Sequence, residues 1–271
     1  MLRAPRYAAV SMAGDVRIDR EGPLAWLVFD HEERRNAITA DMWQRIPPLA
    51  RALDEDDSVR VVILRGAGDV AFVSGADISE FEQRRTGEGV EDYDLQNALA
   101  FGALASIRCP VLAMVHGFCI GGGCALALTA DVRFAADDAL FGIPAGRLGL
   151  GYGEGGLEAL VRAVGFPAAK EMFFSARRFS AAEAYDMGLA NRVFRKSELE
   201  AEVRKIAEGI ARNAPLTLRA AKIAFNEIAK PVASRDEAAI RAAIRRCFES
   251  EDYAEGVRAF LEKRSAEFHG R

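Results

Sequence analysis

The stretch that decides the fold is CPVLAMVHGFCIGGGCALALTAD, residues 109–131. A short apolar, β-prone run breaks at Gly117, passes through three consecutive glycines at 121–123 and continues as an Ala- and Leu-rich segment. This order predicts a buried strand, a bare turn and a buried helix. Because glycines cost backbone entropy, their clustering indicates that the backbone itself must come close to something. A helix beginning there points unpaired N–H groups and its positive dipole end into the turn, which suits a partial negative charge on an oxygen.

A second stretch repeats the pattern. AFVSGADI, residues 71–78, follows the β-like run VVILRG at 61–66 and again leads into a glycine turn, with Asp77 at a helix start. Two such sources of N–H groups form an oxyanion hole if the turns converge. The sequence alone leaves that convergence open.

Together the two stretches resemble the enoyl-CoA hydratase/isomerase (crotonase) family, and the similarity runs from about Val16 to the C-terminus. Residues 72–78 are similar to the family's first oxyanion motif, and residues 115–124 to its second. The resemblance implies an α/β fold, the crotonase-like ββα superhelix, with a C-terminal helical trimerisation region. By position in the motifs, the oxyanion donors would be the N–H groups of Ala76 and Gly122.

The order of short strands and helices agrees with that fold. We expect a flexible N-terminal tail at 1–13, the ββα core at 14–196 and a helical region at 197–271. Within the core, Thr39 can cap a helix that begins at Ala40. Pro47-Pro48 should interrupt this helix, so a kink or two short helices are predicted up to Leu53.

The resemblance also assigns positions to coenzyme A (CoA) binding. Arg35 could meet CoA phosphates or lie in a solvated basic turn, Asp77 could be a structural helix cap, and Lys263 could be an exposed helix lysine. Tyr152 is a weaker candidate, as a donor or a pocket wall. The full set of candidate binding residues is Arg35, Ala37, Ser74, Asp77, Ile78, Tyr152, Phe260 and Lys263.

The residues that should move protons are missing. Hydratases of this family carry one Glu just after the Gly-Gly-Gly-Cys run and another after the Phe-Gly-x-Pro segment, where this chain has Ala125 and Ala145. A methyl group cannot act as a general acid or base. Glu154 is the candidate replacement, since the family pattern places its turn beside the reacting acyl carbons. An apolar pocket would raise its pKa toward a useful value; alternatively it caps a helix or faces water.

Composition sets further limits. The net charge of −4 gives no footprint for nucleic acid or an anionic membrane, and no apolar run approaches the ~20 residues that span a bilayer. The four cysteines lack CxxC spacing and are typical of reduced thiols in a cytoplasmic protein. A formal GxGxxG at Gly151–Gly156 lies where helix follows helix, which disfavours a dinucleotide site.

These observations give one main hypothesis and two rivals. The first is an acyl-CoA enzyme of the hydratase/isomerase/lyase class that stabilises a thioester enolate, with no cofactor because CoA is part of the substrate. The runner-up is another thioester reaction: isomerisation, decarboxylation or hydrolysis. The rival from a different class is a non-catalytic acyl-CoA binding protein, which Ala125 and Ala145 favour. The resemblance implies a homotrimer or a dimer of trimers.

Overall fold

The computed structural model describes residues 14–81, 86–87 and 89–271, which form a mixed α/β fold. The predicted flexible tail at 1–13 lies outside these residues. The strands are β1 (Asp15–Glu21), β2 (Leu24–Asp30), β3 (Val61–Gly66), β4 (Ala71–Val73), β5 (Val111–Val115), β6 (Phe118–Ile120), β7 (Val132–Ala136), β8 (Leu140–Gly142), β9 (Phe179–Ser180) and β10 (Arg192–Phe194).

The strands build two sheets. The larger sheet has the order β1-β2-β3-β5-β7-β10, antiparallel between β1 and β2 and parallel in the other pairs. The smaller sheet has the order β4-β6-β8-β9 and is antiparallel only between β8 and β9. Each parallel connection requires a crossover, and helices supply several of these crossovers.

The helices follow the strands in repeated units and then dominate the C-terminal part. They are α1 (Ala40–Glu55), α2 (Gly89–Ala105), α3 (Gly122–Leu128), α4 (Ala145–Leu148), α5 (Glu154–Ser175), α6 (Ala181–Asp186), α7 (Lys196–Ala211), α8 (Pro215–Ile228), α9 (Glu237–Phe248) and α10 (Glu251–Glu262). Helix α5 changes direction at Gly165, whose φ is 73°. None of the helices in the described ranges has the length and apolar character needed to cross a membrane.

Strand β2 shows how the core is organised on both faces of the larger sheet. Ala25, Leu27 and Phe29 belong to the main core, whereas Leu24, Trp26 and Val28 join a second cluster beneath α7. The side chains alternate because successive residues of a strand point to opposite faces. A strand covered on both faces reads as a continuous apolar run, as 24–29 does.

Helix α1 corrects one prediction. It runs unbroken from Ala40 to Glu55 with Pro47 and Pro48 inside it, so the division into two short helices is wrong. The hydroxyl of Thr39 accepts a hydrogen bond from the amide of Met42 at 3.3 Å and caps the helix as predicted. The buried face, including Met42, Trp43 and Ile46, ties the helix to the core. We attribute its continuity to this packing, which offsets the roughly 3 kcal/mol that an internal proline costs.

The α/β class predicted from the sequence is confirmed. The region 197–271 is predominantly helical, as expected. Its separation from a core at 14–196 as a distinct unit stays a prediction.

Candidate active site

The two glycine turns converge. The amide nitrogen of Ala76 lies 3.6 Å from the position that a Cβ atom on Gly122 would take. Gly122 is the first residue of α3, so its N–H is one of those that a helix leaves unbonded. Across the described ranges, neither amide donates a hydrogen bond to a protein acceptor. Two free backbone donors therefore lie side by side.

Backbone pairing explains why the N–H of Ala76 is free. Ile38 forms a parallel bridge with Ala76: its amide donates to the carbonyl of Gly75 at 2.8 Å, and its carbonyl accepts from the amide of Asp77 at 2.9 Å. In this pairing, the residue opposite Ile38 uses neither of its own backbone groups. The N–H of Ala76 is therefore left for the side where Gly122 lies.

A buried asparagine holds the partner segment in place. The side-chain oxygen of Asn36 accepts from the amide of His31 at 2.9 Å. Its amide nitrogen donates to the carbonyls of Ala67 at 2.9 Å and Ala71 at 2.8 Å. Asn36 has a φ of 56°, a left-handed conformation that asparagine tolerates better than most residues. The segment Asn36-Ala37-Ile38 is thus fixed to the loop that leads into β4, and Ala37, a candidate from the sequence, is buried.

An aromatic wall stands beside the two amides. Ring atoms of Trp43 lie 3.3 and 3.6 Å from the Cβ position of Gly122. The indole N–H of Trp43 donates to the hydroxyl of Tyr93 at 3.1 Å, and Phe101 packs edge-on against Trp43 with 5.3 Å between ring centroids. Sequence reasoning missed this wall. Helical spacing from Thr39 places Trp43 on the buried face, but nothing in the sequence connects that face to Gly122.

The first motif supplies further polar contacts around Ala76. Ser74 pairs with the neighbouring turn: its amide donates to the carbonyl of Arg35 at 3.1 Å and its hydroxyl to that of Arg34 at 3.2 Å. Asp77 accepts from the amide and hydroxyl of Ser79, as a helix cap does. Burial alone would raise the pKa of Asp77, but these hydrogen bonds hold it below its usual value. Ile78 is 56% exposed. The CoA-binding roles of these residues stay predictions.

Methyl groups lie at the two positions where the family resemblance implies catalytic acids. Ala125 is half-buried in α3, and Ala145 is buried at the start of α4. Glu154 is exposed at the first position of α5, so it does not lie in an apolar pocket. Tyr152 is half-buried and packs edge-on against Phe173, with 5.2 Å between ring centroids. The structure therefore leaves the catalytic role of Glu154 as a prediction.

The C-terminal candidates lie on α10 and its cap. Phe260 is 83% exposed, and Lys263 follows the helix with a φ of 56°. Among the described residues, no hydrogen bond or ion pair joins either side chain to Ala76 or Gly122. Their contact with CoA stays a prediction.

Comparisons with known proteins identify the family of this chain. The family model described as enoyl-CoA hydratase/isomerase matches residues 19–271. The short-chain-enoyl-CoA hydratase of Clostridium acetobutylicum is 36% identical over 93% of this chain and 97% of its own length. The crotonyl-CoA hydratase of Syntrophomonas wolfei is also 36% identical, over 94% of this chain and 97% of its own.

A solved structure confirms the fold. The crystal structure of an enoyl-CoA hydratase/carnithine racemase from Magnetospirillum magneticum superposes with a TM-score of 0.90 at 34% identity, covering 94% of this chain and 96% of that one. The chain belongs to the enoyl-CoA hydratase/isomerase family, and the crotonase-like fold inferred from the glycine motifs is confirmed.

His116 sits at the end of β5, immediately before the central turn. Its side chain is buried, and its Nε2 atom has no hydrogen-bond partner in the described part of the chain. Burial lowers the pKa of His116 to about 4; Arg65 and Lys196 act in the same direction, while Asp138 and Asp69 oppose it. The imidazole is therefore neutral near pH 7.

We predict that His116 makes the fold sensitive to mild acid. Its folded pKa is below the unfolded value near 6.5, so the unfolded chain binds the proton more readily. With respect to His116, the folded chain therefore has its full stability above pH 6.5 and loses part of it as the pH falls toward 4. The loss due to His116 amounts to up to about 3 kcal/mol of unfolding free energy. Urea titrations from pH 7 to 4 should show a steeper loss of stability for the native chain than for His116→Asn. Parallel curves would contradict the prediction.

Proposed function

We propose that this protein is an acyl-CoA enzyme in which the N–H groups of Ala76 and Gly122 form an oxyanion hole for a thioester. The observation that carries the proposal is their convergence, with both donors free of protein acceptors. A thioester oxygen placed between them gains negative charge when the substrate becomes enolate-like. Preorganised donors stabilise that charge more than they stabilise the neutral ground state.

The surroundings support this role. The dipole of α3 adds positive potential at Gly122, and the wall formed by Trp43 excludes water from one side of the amides. Excluding water strengthens each hydrogen bond to the developing charge. We therefore place the thioester carbonyl against these amides, with the acyl chain toward the aromatic wall.

Filling the space between the two amides should slow catalysis strongly without unfolding the chain. In Gly122→Ala the new methyl group would lie 3.3 Å from Trp43 and 3.6 Å from the amide of Ala76, close enough to occupy the oxygen's position. We expect kcat to fall about 100- to 1,000-fold, the loss typical of a removed oxyanion donor. The matched control is Gly209→Ala in α7, where the nearest atom to a Cβ is 3.8 Å away.

Unchanged melting temperatures for both variants would show that each one folds. A fully active Gly122→Ala enzyme would exclude this oxyanion hole.

Hydration is the reaction we propose first, because the two curated relatives described above are named as hydratases. It needs a proton donor and a base, and the two usual positions are Ala125 and Ala145. We assign proton transfer to Glu154 or to a bound water. The exposed position of Glu154 requires the substrate itself to cover it in the complex.

Turnover of crotonyl-CoA and longer enoyl-CoAs, followed as loss of the conjugated thioester absorbance, checks this assignment. We expect Glu154→Gln to reduce kcat at least 100-fold, the contribution of a positioned acid–base group. Glu158→Gln, one turn further along α5 and also exposed, is the control. Equal rates for Glu154→Gln and the native enzyme would exclude Glu154 as the proton-transfer group and assign that role to a bound water.

A second candidate is favoured by the exposed Glu154 together with the two alanines. In it, the same amides bind an acyl-CoA for isomerisation, decarboxylation or hydrolysis, or bind it without reaction. Measurable CoA-ester binding with no loss of enoyl absorbance would favour this candidate. Both candidates use CoA as part of the ligand, need no further cofactor and act in the cytoplasm.

We also propose that the protein assembles as a homotrimer or a dimer of trimers. Large apolar side chains are exposed in the C-terminal helical region, and exposed apolar patches mark interaction sites. They are Ile223, Phe225, Ile228, Val232, Ile244, Phe248, Tyr253, Val257, Phe260 and Leu261.

Sedimentation equilibrium should therefore report three or six chains of 29.5 kDa per particle. Burial of these apolar side chains would drive the association. A monomer at micromolar concentration would reject the assembly.

A further inference from the structure

One buried polar atom on helix α2 has no hydrogen-bond partner. In the described part of the chain, the side-chain oxygen of Asn97 is buried and accepts no hydrogen bond. A buried acceptor that lacks a donor destabilises a folded protein, so native structures contain few of them. The oxygen of Asn97 therefore needs an explanation, and a ligand that brings its own donor would supply one.

The neighbours of Asn97 on α2 place it beside Trp43. Tyr93, Asn97 and Phe101 are spaced four residues apart, so their side chains follow one another along one face of the helix. The hydroxyl of Tyr93 accepts from the indole N–H of Trp43 at 3.1 Å, and Phe101 packs edge-on against the same indole. Because Trp43 contacts the residues one turn before and one turn after Asn97, Asn97 lies on the face of α2 that is turned toward Trp43.

This face of α2 borders both glycine turns. A ring atom of Trp43 lies 3.3 Å from the Cβ position of Gly122. Tyr93 also packs edge-on against Phe81, with 5.8 Å between the ring centroids, and Phe81 follows Ala76 closely in the chain. The face is thus connected to the first motif through Phe81 and to the second motif through Trp43. It lies on the side of the two amides toward which we place the acyl chain.

An unpaired acceptor beside the acyl chain favours an acyl group that carries an O–H donor. An enoyl group has no such donor, whereas its hydration product carries a hydroxyl on C3, close to the thioester carbon. Hydration adds the oxygen of one water to C3 and one proton to C2, so that no other reactant is needed. The water is itself an O–H donor before it reacts. The same acceptor can therefore hold the oxygen before and after the reaction.

We infer that Asn97 binds the C3 hydroxyl of a 3-hydroxyacyl-CoA and, in the hydration direction, the water that becomes this hydroxyl. The inference rests on the proposed function, because it takes the thioester to lie against the amides of Ala76 and Gly122. A neutral carboxamide oxygen accepts a hydrogen bond but takes up no proton at neutral pH. Asn97 therefore positions the reacting oxygen, while proton transfer stays with Glu154 or a bound water.

Butyryl-CoA and 3-hydroxybutyryl-CoA form a matched pair for the test, because they differ only by the hydroxyl. We expect the native chain to bind the preferred enantiomer of the hydroxy ester about 10-fold more tightly than butyryl-CoA, as for a buried acceptor that gains a donor. Asn97→Leu should abolish this preference by weakening the binding of the hydroxy ester alone. Titration calorimetry measures both dissociation constants. If the chain dehydrates the hydroxy ester, its KM and the inhibition constant of butyryl-CoA replace them.

The melting temperature separates this binding role from a structural one. Asn97→Leu should melt at a higher temperature than the native chain, because leucine removes a buried oxygen that the free protein leaves unpaired. The control is Gln96→Leu, the adjacent position on α2, whose side chain projects from a different face of the helix. Gln96→Leu should keep the 10-fold preference for the hydroxy ester.

Each other outcome has a distinct meaning. A native chain that binds both esters equally, or an Asn97→Leu variant that keeps the preference, would overturn the role of Asn97 and leave the oxyanion hole in place. A variant that melts lower and loses both esters equally would overturn it in favour of a structural role. Binding of neither ester by the native chain would overturn the proposed function together with this inference. A preference for the hydroxy ester without turnover would support the role of Asn97 and overturn hydration.

Discussion

The contact between helix α3 and strand β4 leaves no room for a side chain, and the candidate site depends on that contact. A Cβ on Gly123 would lie 2.1 Å from the carbonyl oxygen of Val73, closer than any side chain allows. Because this position is bare, the first turn of α3 packs directly against the loop that follows β4. The amide of Gly122 then lies beside the amide of Ala76. The glycine run is therefore required for the packing of α3 against β4. This packing in turn brings the two free N–H donors together.

A second constraint fixes the direction of the Ala76 amide. The bridge to Ile38 determines which backbone groups of residues 75–77 are used and which one is left over. That bridge rests in turn on Asn36, whose three side-chain hydrogen bonds are buried. Each such bond contributes about 1 kcal/mol, and an unsatisfied partner would cost more. A rigid backbone site thus depends on polar contacts made several residues away.

The sequence predicted these parts unequally, for physical reasons. The glycine turns could be predicted because few residues other than glycine permit close backbone approach. The α/β class could be predicted from the order of the apolar runs. The continuity of α1 through Pro47 and Pro48 could not be predicted, because the low helix propensity of proline opposes it. Only the packing of the buried face of the helix explains it. Nor could the sequence connect Trp43 with Gly122. These residues meet through the tertiary fold, which brings together positions that no local pattern links.

The two alanines change what this architecture can do on its own. A hole made of main-chain N–H groups persists when any surrounding side chain changes, provided that the bare positions at 75 and 121–123 remain. Acids and bases are single side chains, and this chain has Ala125 and Ala145 where the family resemblance implies glutamates. Under the proposed function, stabilisation of an enolate and transfer of its proton are therefore assigned to separate parts of the fold. In the mechanism we propose, the backbone supplies the first, so the group that supplies the proton decides the reaction. Glu154, which is exposed, fills that proposed role only once a bound substrate has covered it.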